Sequence, residues 1–100
     1  MSLDAEQRRR TGAELHANLT RSGLTAATVA RDLGLDAVEV ARALDVDPAG
    51  RPEVVWWVRD HLHAAVLARG GEPVPFTVLT EDVRASAERW FPLHRVRRPV

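Results

Sequence analysis

The sequence predicts a small all-α domain of about five helices, with a helix-turn-helix-like core and a long fourth helix. Three observations predict it. Apolar residues recur at helical spacing nearly throughout. Capping residues stand where each helix should begin. Glycine and proline punctuate the chain between those segments.

The first helix is expected from about Asp4 to Thr20. Asp4 can cap it, and Gln7, three residues on, can close a capping box. Its apolar stripe is thin: Ala5, Leu15 and Leu19, with Thr11 and Gly12 beside them. Gly23 suits a left-handed helix end. Thr25 can cap a second helix over 26–33, and Gly34 supplies a turn. Asp36 can cap a third helix ending near Leu44, with Glu39 as its box partner. Residues 45–50, rich in turn formers, read as a connector. Pro52 fits the first position of a fourth helix that runs to about Arg69 and stops at Gly70-Gly71. Pro73 and Pro75 force residues 72–75 to be extended. The stretch Phe76-Thr77-Val78-Leu79 is short and ambiguous. Thr80 can cap a last helix from Glu81 to about Trp90, and residues 95–100 form a tail.

One hundred residues make one domain, 1–100, whose C-terminal part, 72–94, should pack on the core. The chain holds no cysteine, which removes disulfides, zinc–thiolate sites and thiol nucleophiles. No apolar run approaches the roughly 18 residues of a membrane span, and the N-terminus carries no signal-type apolar region. The expected location is cytoplasmic. All 14 basic residues are arginine, which a GC-rich genome explains without any phosphate ligand. The net charge is zero but unevenly spread. Residues 1–23 carry +1, residues 24–50 carry −3 and residues 51–100 carry +2.

Residues 24–45 meet the demands of two short helices crossing at a tight angle. Ala30 is the small residue at the crossing and Gly34 the turn glycine. Val29, Leu33, Leu35, Val40 and Ala43 fall on the shared seam. If the third helix enters a major groove, Asp36, Ala37, Val38, Glu39, Ala41 and Arg42 face the bases. Arg42 is then the base-contact candidate, and Arg31, Arg8, Arg9 and Arg10 are phosphate candidates. A tail cluster of Arg95, Arg97 and Arg98 could also flank a backbone. The −3 charge of this segment opposes phosphate binding. The same two helices can equally be a helical corner that touches no DNA.

On a helical wheel, the apolar residues of the fourth helix fill an arc of roughly 200°. Trp57, His61, Ala64 and Ala68 fall inside that arc. Trp56 falls outside it, on a polar stripe with Arg59 and His63. Either the C-terminal segment folds over Trp56 with Phe76, Leu79, Val83, Trp90 and Phe91, or Trp56, Arg59 and His63 form an interaction surface. A homodimer contact would then lie on 54–66.

Chemistry is sparse. His61 and His63 are two apart and point away from each other on a helix, while His16 and His94 stand alone. There is no glycine-rich phosphate loop, and Ser2, Ser22 and Ser86 sit in no nucleophile elbow. No cofactor, metal or small-molecule substrate is expected, and no enzyme activity.

Three stretches carry a resemblance. They are Ser22-Gly23-Leu24-Thr25 leading to Val29-Ala30-Arg31-Asp32-Leu33-Gly34-Leu35, then Trp57-Val58-Arg59-Asp60-His61-Leu62, then residues 71–79 from Gly71 to Leu79. In that order they resemble a family of short bacterial proteins grouped as domain of unknown function 2316. The resemblance implies a bacterial cytoplasmic protein and carries over no catalytic or binding residue. Residues 24–45 are also distantly similar to the helix-turn-helix of repressor-type regulators, although the third helix is acidic and lacks Gln, Ser or Lys at the usual contact points. Two functions remain open: a DNA-binding transcriptional regulator acting as a dimer, or a protein-interaction module that binds no DNA.

Overall fold

The computed structural model describes residues 3–89. Among them the chain forms five helices and no strand: α1 (Ala5–Ser22), α2 (Ala26–Leu33), α3 (Ala37–Leu44), α4 (Pro52–Ala68) and α5 (Glu81–Glu88). The expectations for Trp90, Phe91, His94 and the tail arginines lie outside the described residues.

Local chemistry sets most of the boundaries. Asp4 accepts from the Gln7 amide at 2.7 Å and Gln7 Oε1 accepts from the Asp4 amide at 3.0 Å, so the capping box at α1 forms. Gly23 ends α1 at φ 73° and Gly34 ends α2 at φ 70°, where a Cβ would be strained. Thr25 caps α2 through the Thr28 amide. Pro52 opens α4.

The expected box at α3 does not form. Asp36 makes no side-chain capping bond. Glu39 turns instead toward Arg51, at 3.5 Å, because the start of α4 brings that guanidinium alongside. Thr80 likewise precedes α5 without a side-chain cap bond.

α4 is the central element. It packs against α1 and α3, and along a shorter stretch against α2. α2 and α3 pack on each other across Gly34, with Val29, Ala30, Val40, Ala43 and Leu44 buried between them and the rest of the core. α1 comes close to the end of α3 at Gly12, where a Cβ would stand 3.3 Å from the Leu44 carbonyl oxygen. Leu15, Val54, Val58 and Leu62 fill the centre with no solvent contact or almost none. Ala5, expected on the apolar stripe of α1, is exposed.

The buried face of α4 is rotated from the expected arc. Trp56 is 3% exposed and Arg59 8%, whereas Ala64 and Ala68 face solvent and Trp57 and His61 are half-buried. The rotation follows from residues 76–89, which cover the Trp56 side of the helix. α5 is held there by side chains more than by close backbone packing. Arg84 reaches Asp60 on α4 through Nη2 at 2.6 Å and Nη1 at 3.1 Å, and its guanidinium lies 4.8 Å from the centroid of the Trp56 ring. No described helix is long and apolar enough to cross a membrane.

Candidate functional site

The outer face of α3 is the surface the helical corner presents. α3 turns Val40, Ala43 and Leu44 inward and leaves Ala37, Val38, Ala41 and Arg42 in solvent. Val38 is 59% exposed, the more exposed of the two exposed large aliphatic side chains among the described residues. Asp36 is exposed beside it. The acidic group of α3 therefore sits at its first turn and its cation, Arg42, at its last.

The predicted cations occupy different settings. Arg42 is exposed, with its Cβ near Gly50, where a glycine Cβ would approach it at 3.4 Å. Arg31 is also exposed, with Asp32 at 3.7 Å. Arg8 is half-buried and donates from Nη1 to the Leu3 carbonyl at 2.7 Å. Arg9 and Arg10 both bind Glu6, and those bonds hold the Glu6 carboxyl below the usual carboxylate range. Arg8 shares the wall of one cavity with residues 46–48 and Gly50, and Arg42 adjoins Gly50, so both stand beside the connector that follows α3.

Trp56, Arg59 and His63 do not form an exposed patch. Trp56 and Arg59 are buried and His63 is half-buried. Arg59 is built into the fold: Nε donates to the Leu79 carbonyl at 3.0 Å, Nη1 to Asp60 at 2.8 Å, and Nη2 lies 3.2 Å from Glu81. Its guanidinium lies 4.8 Å from the Phe76 ring centroid and 5.5 Å from that of Trp56. The polar stripe on the wheel is thus covered by the segment after α4, the other outcome the sequence left open.

Sequence reasoning missed a second feature, the clamp on the proline-rich segment. Asn18 is fully buried. Its Nδ2 donates to the Val74 carbonyl at 3.0 Å and its Oδ1 accepts from the Val74 amide at 2.8 Å. Glu14 accepts from both the amide and the hydroxyl of Thr77, and Arg21 donates to the Glu72 carbonyl. Glu14, Asn18 and Arg21 are spaced four and three apart, one face of a helix, and that spacing was the available signal. An extended segment flanked by prolines needs partners for its backbone groups, and α1 supplies them.

Among the described residues, no three His, Asp or Glu side chains converge on a metal-sized site. His16 pairs with Asp45 at 2.9 Å and His61 with Asp32 at 3.1 Å, tying α2 and α3 to α1 and α4. No curated protein and no solved structure matches the chain. A family model described as an uncharacterised protein conserved in bacteria matches residues 1–92. With the match spanning nearly the whole chain, the protein belongs to the bacterial domain of unknown function 2316 family.

Proposed function

We propose that this protein is a helix-turn-helix DNA-binding regulator that lays the outer face of α3 in the major groove. The observation that carries the reading is the sidedness of α3. Its inner residues lock into the core, while Ala37, Val38, Ala41 and Arg42 stay free in solvent next to the Gly34 corner. Arg42 is the donor suited to a guanine edge, and Val38 and Ala41 suit a thymine methyl. Arg31, Arg8, Arg9 and Arg10 are the phosphate contacts, with Arg9 and Arg10 discounted by their bonds to Glu6. No catalytic role enters this reading.

The test is fluorescence anisotropy of the full chain on a labelled random duplex across a range of salt. Two to four phosphate contacts give a log–log slope between about −2 and −4. A slope near zero rejects groove binding.

A second reading is favoured by the 59% exposure of Val38 beside the acidic Asp36: the same face docks on a protein, a second copy of this chain included. Sedimentation equilibrium separates the two. That reading expects self-association or partner binding that Val38→Arg abolishes, with no salt-dependent DNA binding.

A further inference from the structure

A cavity of about 220 Å³ opens where the start of α1, the 46–50 connector, the first turns of α4 and the 79–87 region meet. Its apolar wall includes Val46, Pro52, Val55, Trp56, Leu79 and Ala87. Two charged residues reach its lining, Arg8 and Asp47. The Asp47 carboxylate is turned back on its own connector and accepts from the Ala49 amide at 2.8 Å. The Arg8 guanidinium spends one N–H on the Leu3 carbonyl, itself beside the cavity, and no ion pair to a described carboxylate claims the others. A guanidinium carries five donors, so an anion can still be held.

The backbone at this cavity is strained. Val46 adopts φ 51°, and it is the one non-glycine residue with positive φ among those described. A β-branched residue rarely adopts that conformation, and the surrounding packing must hold it there. The strain turns the Val46 side chain inward, where it is buried on the cavity wall.

Size narrows the ligand. A dry apolar cavity of about 150 Å³ accommodates benzene, whereas sites for drug-sized molecules run from about 300 Å³ upward. The volume here fits one ring, or a short branched chain, together with a carboxylate.

We propose that this cavity binds a small monocarboxylate with a compact apolar body, of the size of benzoate, its carboxylate on Arg8 and its body against Trp56, Val55 and Leu79. Arginine presents parallel donors to a carboxylate, which gives orientation as well as attraction. The site shares Arg8 with the DNA-binding reading but does not rest on it, and its test involves no DNA.

The experiment is an amide-shift NMR titration of the full chain with sodium benzoate, and in parallel with benzamide, the neutral analogue. Saturable shifts confined to the amides of residues 3, 8, 46, 47, 50, 55, 56, 79 and 87 are expected with benzoate, and at least tenfold weaker binding with benzamide. Arg8→Gln should weaken benzoate binding at least tenfold with the thermal midpoint unchanged, while Arg8→Lys retains most of it. Three results overturn the proposal: no saturable shift at millimolar benzoate, equal binding of benzoate and benzamide, or contacts in the free chain from Phe91 or Leu93 to Val55 and Trp56. The last would assign the cavity to the chain's own C-terminal residues.

Discussion

Thr11 and Asn18 share one face of α1, two turns apart, and are both fully buried, yet their polar atoms fare differently. Asn18 exchanges two hydrogen bonds with the Val74 backbone and a third with the Glu14 carbonyl. Removing the amide leaves the half-buried N–H and C=O of Val74 without those partners. Asn18→Ala should therefore cost about 2–3 kcal/mol in urea unfolding, and amide exchange at Val74 and Thr77 should accelerate first. A loss under about 0.5 kcal/mol would mean that the clamp contributes little. Thr11 Oγ1 is buried with no hydrogen-bond partner among the described residues. Valine has nearly the same shape and no hydroxyl to desolvate. Thr11→Val should raise stability by about 1 kcal/mol, and a destabilised variant would argue for a partner at that hydroxyl. Neither role is visible in the residue's identity. A buried asparagine and a surface asparagine are the same letter, and only the arrival of residue 74, far along the chain, tells them apart.

At the scale of elements, α5 depends on a charge network that links it to α4. Arg84 bridges Asp60 and Glu81, and Arg59 meets both carboxylates while lying near two aromatic rings. Hydrogen bonds from Arg84, together with its charge, hold the Glu81 carboxyl below the usual carboxylate range, and those carboxylates hold the Arg84 guanidinium protonated to still higher pH than usual. A carboxyl whose folded pKa is depressed stabilises the fold above its unfolded value, here 4.5, and that contribution is lost as pH falls through the folded value. Glu81 is largely exposed, so screening keeps its share below about 1 kcal/mol. Stability measured from pH 6 down to pH 3 should fall less steeply in Arg84→Met than in the natural chain. Identical slopes would remove Arg84 as the cause. The helix boundaries themselves were legible, because caps and breakers act within four residues. Gly34 and Gly23 stand in the left-handed conformation that their positions implied. The Asp36–Glu39 box failed for a non-local reason, the proximity of Arg51.

For the whole molecule, the distribution of charge decides what the α3 face can do. Net charge is zero, so no long-range field draws the protein to a polyanion. Any DNA affinity must come from a few local contacts, with Asp36 at the N-cap of α3 and Glu39 in its first turn opposing them. Asp36→Asn should therefore tighten duplex binding several-fold at low salt, with the gain shrinking as salt rises. Unchanged affinity would place Asp36 away from the phosphates and count against α3 in the groove. The cavity by the 46–50 connector adjoins the same end of the molecule as Arg8 and Arg42, and it is assembled from segments that no short stretch of sequence brings together.

By itself, the sequence determined the helical class, the five helices, the corner at Gly34 and the family, since periodicity, capping and glycine conformation are local physics. Tertiary structure alone decided which face of α4 is inside. On a wheel Trp56 and Arg59 join the polar stripe, yet they are buried, because two arginine side chains, two aromatic rings and the Leu79 carbonyl meet there. A guanidinium can be buried when its donors and its flat face are both satisfied, and for Arg59 the deciding partners, Phe76, Leu79 and Glu81, come from 17 to 22 residues away along the chain, where no pattern of adjacent residues could reveal them.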